Sequence, residues 1–349
     1  MYIENTTSFK NKLINGDFKF WQRGTTVSGT TGNSYYMADR WRMDLAGTSA
    51  VAVYSQQSFT VGQTSVPNEP QFFSQVAISN GGDATNGAVS LLQAIESVRT
   101  FANKKVTLSF WAQATSGTPK LGVEYSQNFG SGGSPSSAVS TPVGSATLST
   151  TWQKFNFTTT LPSISGKTIG TTINTDSLNL VLWMSAGTAL ATRSSTTGIQ
   201  TSTFQISSIQ LEVGDTATDF ESRPYQVELA LCQRYCYLLA PQGGGSMNPP
   251  IGYGFVCNTV TANTSISLPS TMRILPTLIG PATPSNYQVS DGLTVTALST
   301  PFISINNALS STKNVTFLIT TGATLTQYRP IRLETNTATP SLMYLSAEF

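Results

Sequence analysis

Histidine is missing from the 349 residues. Its absence excludes the Ser-His-Asp and Cys-His nucleophile arrangements and the usual zinc sites together. Charge is scarce as well. Asp, Glu, Lys and Arg make up 10% of the chain, against about 25% in an ordinary globular protein. The net charge is +2 with no basic block, so no nucleic-acid partner is expected. Three cysteines, Cys232, Cys236 and Cys257, cannot all pair with one another and make no disulfide framework. No apolar run approaches the roughly 20 residues of a membrane span. Residues 1–12 lack the apolar stretch of a secretory signal. The expectation is a chain folded in a cytoplasm with no membrane partner. No solenoid-type repeat is found.

What is present argues for β-structure. Hydrophobic residues reach 39% and aromatics 10%, enough for real cores, and the abundant Thr, Val, Ile, Phe, Tyr and Trp suit pleated, half-buried surfaces. Ser, Thr, Asn, Gln and Gly take the place of charge on the exterior. From Leu13 to about Arg223, strand-like runs alternate with turn clusters at 28–34, 80–87, 130–137 and 186–198. In VTLSFWAQA, Val106, Leu108, Phe110 and Ala112 share a face. In WQKFNFTT, Phe155 and Phe157 do, and in DSLNLVLWMS, Leu178, Leu180, Leu182 and Met184 do. Such strands with Gly-rich turns predict an antiparallel β-sandwich. LLQAIESV at 91–98 fits a short helix or a strand. Pro224 suits a first helical turn, and Val227, Leu231, Tyr235 and Leu238 follow at helical spacing, so a helix is predicted to run to near Pro241. Beyond GGGSMNPP the pattern is strand-rich again, with a hairpin turn at Ser290, Asp291 and Gly292. The fold class expected is all-β. An arm at 1–12 precedes a sandwich over 13–222, then a linking helix over 223–242 and a smaller β domain over 243–349.

Few residues offer chemistry. Cys232 and Cys236, four apart on the predicted helix, read as small buried side chains. Asp215, Asp219 and Glu221 form the best local carboxylate cluster for glycoside cleavage, but acids at a strand exit before a helix are expected from capping and the helix dipole alone. Glu124 and Asp176 stand isolated. No catalytic residue is assigned and no enzyme is expected. A structural calcium ion is the one cofactor with candidates, Asp83 with Asn80 and Asn86, against the reading of the same residues as an Asx-rich turn. The tryptophans say more. Trp111 shares its face with Gln113, Trp152 with Lys154 and Asn156, and Trp183 with Asn179, each opposite the apolar face of its strand. Rings among amides and hydroxyls suit stacking on a pyranose. They equally suit packing on a second layer or on another subunit. The stripe of Val227, Leu231, Tyr235 and Leu238 is the candidate oligomer contact, and it is too short for a coiled coil by itself.

A family resemblance adds to this reading. NKLINGDFKFWQRGTT, YYMADRW, LLQAIE, KKVTLSFWAQA, NFGSGGSPS, TWQKFNFT, SGKTIG, SIQLEVGDTATDFESRP and ELALCQRYCYLL follow one another over residues 11–240. In this order they resemble a virion-protein architecture of tailed bacteriophages, found in tail fibres, tailspikes, head fibres and decoration proteins. ISLPSTMRILPTL is similar, more loosely, to the β domain that often follows. The resemblance implies a jelly roll like that of carbohydrate-binding modules, a virion location, a homotrimer, contact with other virion proteins (capsid, tail or fibre anchor) and host-surface glycan recognition. It supplies no catalytic residue. Cys236 stands where an aromatic is common. No long attachment shaft precedes the sandwich, which implies docking on a separate anchor or direct decoration of head or tail. Two further readings are a purely structural cement or adaptor protein with aromatic subunit interfaces and a glycan depolymerase; the latter is disfavoured by the lack of repeats and of an acid pair.

Overall fold

Alternation of large apolar and small polar side chains dictates two stacked sheets, and the computed structural model has them. It describes residues 9–239, 250–280, 284–322, 324–336 and 342–349. The chain divides into two compact units. The first ends at Glu228 and also takes Phe349, and the second runs from Leu229 to Glu348.

The first unit contains β1 (Thr26–Thr30), β2 (Ser34–Tyr36), β3 (Arg42–Ala46), β4 (Val51–Ser58), β5 (Phe72–Asn80), β6 (Ala88–Glu96), β7 (Lys105–Ala114), β8 (Lys120–Asn128), β9 (Val139–Thr147), β10 (Gln153–Thr160), β11 (Ser177–Ala186) and β12 (Thr203–Val213). One antiparallel sheet, here sheet A, has the order β1-β4-β5-β12-β7-β10. The other, sheet B, has β2-β3-β6-β11-β8-β9. The core lies between them. Val106, Leu108 and Phe110 from β7 face Leu178, Leu180, Leu182 and Met184 from β11 in one buried cluster, with Phe155 and Phe157 packed on it. Phe155 pairs with Phe110 across the β7–β10 ladder, their ring centroids 5.8 Å apart. The segment at 91–98 that fits two periods belongs to strand β6. It lies between β3 and β11 and is buried on both faces, so it carries no alternation to read.

Leu13, the expected start of the sandwich, lies in its core, but the strand pattern starts later. Among the described residues the first strand begins at Thr26, and residues 9–25 are irregular. Their backbone is held by side chains instead of a ladder. Strand β12 has a bulge between Ser207 and Gln210, with Ser208 at φ +54°. The bulge turns the Ile209 backbone away from β7. Its N–H donates to the Gly16 carbonyl (2.9 Å), and its carbonyl accepts from Asn11 Nδ2 (3.1 Å). Asn15, at φ +57°, donates from Nδ2 to the Phe20 and Asp39 carbonyls (2.8 and 3.0 Å) and accepts from the Phe20 N–H (3.0 Å). Its own N–H donates to Glu228, and its carbonyl accepts from the Trp41 indole (3.0 Å). Gln93 exchanges two 2.8 Å hydrogen bonds with the Ile14 backbone. Arg223 donates to the carbonyls of Asn11 and Leu13 and to Glu228. Asp17 sits beside this network, and burial, then the nearby Glu228 charge, raise its carboxyl above the ordinary 3.8.

Helix α1 (Tyr225–Gln233) begins where Pro224 predicts it but ends eight residues before Pro241. The reason is a competing strand, β13 (Cys236–Leu238), which pairs with the strand Tyr344–Ser346. Tyr235 and Leu238 therefore lie off the helix, and Tyr235 is buried. Only Val227 and Leu231 keep the stripe expected to meet symmetry mates. The predicted break at 243–250 lies outside the described residues up to residue 249, as do residues 1–8 of the arm.

The second unit continues with β14 (Pro250–Val256), β15 (Thr261–Ser267), β16 (Thr277–Ile279), β17 (Tyr287–Ser290), β18 (Val295–Ile305), β19 (Asn314–Thr321), β20 (Pro330–Thr335) and β21 (Tyr344–Ser346). Six of these close into a small barrel in the order β14-β15-β19-β18-β17-β20, and β13-β21-β16 form a separate sheet. Val256, Tyr287, Val289, Phe317, Ile319 and Leu333 are among the residues filling the core. The predicted hairpin at 290–292 joins β17 to β18. Arg329, then the turn N–H groups of Thr294 and Leu293, hold the Asp291 carboxyl well below the usual range.

Two predictions follow from the docking of the irregular segment. A Cβ on residue 16 would lie 2.2 Å from the Ile209 carbonyl oxygen. Gly16→Ala must push the segment off the bulge, at a cost of about 1–3 kcal/mol, read as a Tm lower by roughly 3–10 °C in thermal melts. An acid raised in the folded state is stabilising only while protonated. The Asp17 contribution is thus fully present below about pH 3.8 and is lost as pH rises through its folded value. Asp17→Asn is expected to raise Tm at pH 7 and to leave it nearly unchanged at pH 3.

Candidate functional site

On sheet A the outward positions of neighbouring strands fall into register as rows of polar groups and rings. Strand β7 presents Thr107, Ser109, Trp111 and Gln113 away from the core. Trp111 lies between Lys154 of β10 and Ser207 of β12. One row on, Gln113, Gln205, Gln75 and Ser55 lie side by side across four strands. They form an amide ladder, with Gln113 Nε2 donating to Gln205 Oε1 (2.6 Å) and Gln205 Nε2 donating to Gln75 Oε1 (2.7 Å). Both bonds run in one direction, so the ladder ends in an acceptor at Gln113 and a donor at Gln75. Such a row holds its amides in fixed orientation before any ligand arrives.

Rings frame this row. Trp152 immediately precedes β10 and reaches past β7 and β12 to meet Phe73 of β5, with centroids 5.4 Å apart and edge to face. It also meets Phe59, at 5.1 Å, and Phe59 meets Phe73 at 4.8 Å. Trp111, Trp152, Phe59 and Phe73 are all half-buried. Lys154 donates to the Thr218 carbonyl (3.2 Å), and Asn156 is exposed. At the other end the face is closed by the 214–221 segment. There Thr218 N–H and Oγ1 donate to the buried Glu212, and Gln210 Nε2 donates to Glu212, Thr218 and Asp219. The acids of that segment have structural tasks. Glu221 accepts the N–H groups of Phe9 and Asn11, and Asp215 pairs at 3.7 Å with Lys105 on the surface. Asp176 accepts from Ser97 Oγ and the Val98 N–H.

Trp183 and Asn179 do not join this face. Both point outward from sheet B, the opposite side of the sandwich. Trp183 is buried with Ala88, Leu92, Ala94, Val181 and Ala186 in a second apolar layer. Its indole N–H donates to Glu124 Oε2 (2.8 Å), Arg193 Nε donates to Glu124 Oε1 (2.9 Å), and the guanidinium stands 5.3 Å over the Trp183 ring. Glu124 is fully buried, so the three residues clamp the 187–198 segment onto the sheet. The signal for this cover is in the sequence: Leu92 and Ala94 of β6 and Val181 and Trp183 of β11 put apolar surface on the outward face, which water would not tolerate uncovered. Asn179 accepts from Ser177 Oγ (3.0 Å) and lines a cavity of about 140 Å³ with Arg42, Asn128 and Phe349. Phe59, Phe73, Gln75 and Gln205 are the site residues that sequence reasoning misses. Their alternation is readable, but strand order is not, and only strand order brings β5 and β12 beside β7.

The calcium candidates form an Asx turn. Asp83 Oδ1 accepts the N–H groups of Asn86 (2.7 Å) and Thr85 (3.1 Å), and Oδ2 accepts the N–H of Thr48 (2.7 Å). Asn80 Oδ1 accepts from the Gly82 N–H (3.0 Å). These donors, Asn86 first and then Thr48, lower the Asp83 carboxyl to about 2. The carboxylate is fully engaged by neutral donors, and no group of three or more acidic or cysteine side chains converges among the described residues.

No family model matches the chain, and no curated protein matches it. Among solved structures it is similar to the family 22 carbohydrate-binding module of Clostridium thermocellum Xyn10B. That match has 12% identity and a TM-score of 0.33 over 60% of this chain and 99% of the module. It is similar also to a family 11 module of Clostridium thermocellum bound to a β-1,3-1,4-mixed-linked tetrasaccharide, at 9% identity and TM-score 0.31 over 56% and 97%. A third similarity is to the enzymatically active domain of tailspike protein 4 from bacteriophage CBA120, at 10% identity and TM-score 0.31. It spans 59% of this chain but 22% of the tailspike chain.

The clamp on sheet B generates a prediction of its own. Arg193→Ala leaves one oxygen of a buried carboxylate without its donor, which costs about 1–3 kcal/mol. The expected readout is a lower midpoint in urea together with a red shift of tryptophan emission as water reaches Trp183.

Proposed function

We propose that the chain is a non-catalytic virion protein of a tailed bacteriophage that holds a glycan on the outer face of sheet A. The observation that carries the binding role is the pre-set amide ladder of Gln113, Gln205 and Gln75 beside the Trp111 and Trp152 rings. Amides fixed by their neighbours present both a donor and an acceptor to paired sugar hydroxyls, and the rings offer apolar faces for the C–H side of a pyranose. Lys154 and Asn156 border the same face and complete the candidate contact set. The virion assignment is supported by the ordered motifs over residues 11–240. Assembly as a homotrimer on another virion protein, through the β units with Val227 and Leu231 adding a short stripe, belongs to the same proposal.

A purely structural role is the competing reading, and the packing of Trp152 against Phe59 and Phe73 favours it. One experiment separates the two. Trp111→Ala and Trp152→Ala proteins, checked by thermal melts for an intact fold, are tested for blocking of phage adsorption and for binding on a glycan array. Each lost ring is expected to weaken binding by roughly tenfold, about 1.5 kcal/mol. Unchanged glycan binding with altered mass in light scattering would instead make the face a subunit contact.

A further inference from the structure

Strand β14 inverts the usual alternation. Its inward positions, which lead to the buried Val256, are occupied by Gly252 and Gly254. Its outward positions hold Tyr253 and Phe255, while Ile251, at a register irregularity, packs on the core. The glycines are required there. A Cβ on Gly254 would lie 1.7 Å from the Asn263 carbonyl oxygen, and one on Gly252 would meet Ile266 Cγ2 at 3.0 Å. The bulky side chains have no such need to face water. Tyr253 is 66% exposed and Phe255 53% exposed. Tyr328, whose N–H donates to the Val256 carbonyl and so lies beside the end of the strand, is 79% exposed. A folded unit gains nothing from two exposed aromatics on one strand of its outer wall with a third exposed aromatic residue at the strand's end; exposed apolar surface of this kind marks a surface that is covered in use.

A groove runs along the same wall. It has a volume of about 310 Å³ and is lined by Tyr237, Leu239, Ile251, Tyr253, Ser265 and Ser267. Tyr253 forms part of both the groove and the ring cluster. Ser265 pairs directly with Tyr253 across the β14–β15 ladder, and Ser267 lies two residues on, on the same face of β15. Their hydroxyls are held by Thr316 (2.8 Å) and Asn314 (3.0 Å) of β19, so one side of the groove is a fixed row of hydroxyls and the other is ring and aliphatic surface. Among the described residues no charged side chain lines it. Arg332, opposite Tyr253 on β20, is neutralised by Glu334. An uncharged groove with one apolar wall and one hydroxyl wall matches a ligand that is itself uncharged and amphipathic by face. A neutral hexose chain has that chemistry; an acidic polysaccharide or a charged peptide does not.

We infer that the outer wall of the barrel at Tyr253, Phe255 and Tyr328 is a second binding surface, taking an uncharged oligosaccharide and acting independently of sheet A. The test uses the whole chain in affinity gels containing dextran, hydroxyethyl cellulose or galactomannan, with alginate as the anionic control. The proteins are wild type, Tyr253→Ala, Tyr328→Ala, Tyr253→Phe and the double variant Trp111→Ala/Trp152→Ala. Retardation by at least one uncharged polymer is expected to survive in the double variant. Tyr253→Ala and Tyr328→Ala are each expected to weaken it by roughly tenfold, with Tyr253→Phe retaining it. These exposed positions leave the melting temperature unchanged. Loss of all retardation in the double variant would overturn the inference while supporting the sheet A site. Retardation by alginate alone would also overturn it, as would Tyr253→Ala behaving like wild type in every gel. A reduced mass of Tyr253→Ala in light scattering with retardation intact would reassign the wall to contact between copies.

Discussion

A single bulge in β12 creates the constraint that organises the first unit. Once Ser208 turns the chain, the Ile209 N–H and carbonyl lose their ladder partners, and buried backbone groups cannot be left unpaired without a cost of about 1–3 kcal/mol each. The partners come from the irregular segment, from Gly16 and Asn11. That segment then has backbone groups of its own to satisfy. Asn15, Gln93, Arg223 and Glu228 satisfy them from positions far along the chain. The network is therefore closed: each member supplies a bond that another member's burial requires. Stretches around residues 11–26, 35–41, 91–96 and 208–224, far apart along the chain, meet here.

The two outer faces of the sandwich show how the same alternation serves opposite ends. On sheet A the outward residues of β7, β12 and β5 are amides, hydroxyls and a few rings, with Ser109, Gln205 and Ser207 buried among half-buried aromatics. On sheet B the outward face of β6 and β11 carries Leu92, Ala94, Val181 and Trp183, and the 187–198 segment is clamped over them. The cover needs an anchor that cannot slide, and the buried carboxylate of Glu124 supplies it by accepting from both Trp183 and Arg193. An indole pointing outward is thus a ligand platform in one setting and a structural post in the other. The difference lies in its neighbours, not in the tryptophan.

This sets the limit on what was legible in the sequence. The core faces of β7, β10 and β11 were readable because the opposite face of each strand carries polar side chains among its rings. Strand β6 was not, because both its sides are dry. The helix was over-extended because Tyr235 and Leu238 keep a spacing of three and four residues through a turn and a short strand, where long-range pairing with Tyr344–Ser346 overrides local propensity. The irregular segment had no period at all, since its bonds go to side chains 79 and 213 residues away. Sheet A's amide ladder was half visible. Gln113 was picked out beside Trp111, but Gln205 and Gln75 needed strand order. In β14 the alternation was plain and its sense was hidden. Tyr253 and Phe255 look like core residues, and only the closeness of β15 to Gly254 turns them outward.

The scarcity of charge gains its meaning from where the charges are. Asp39, Arg40, Glu124, Glu212, Glu228, Arg273 and Glu334 are all buried, a location charged residues occupy only when paired or hydrogen-bonded. Several of the few ionisable groups thus serve inside as fixed acceptors and donors for backbone and side chains. The exterior is left even more neutral than the composition suggests. Long-range steering of a partner by charge is correspondingly weak, and what remains to select a partner is contact: ring faces, oriented amides and hydroxyl rows. Sheet A and the barrel wall are built from just these groups, on different scaffolds. A surface of this kind discriminates by shape and hydrogen-bond pattern at short range, so its binding should depend little on ionic strength. That insensitivity is a property of the whole exterior, and it follows from the same economy of charge that left Glu124 and Glu228 free to hold the fold together.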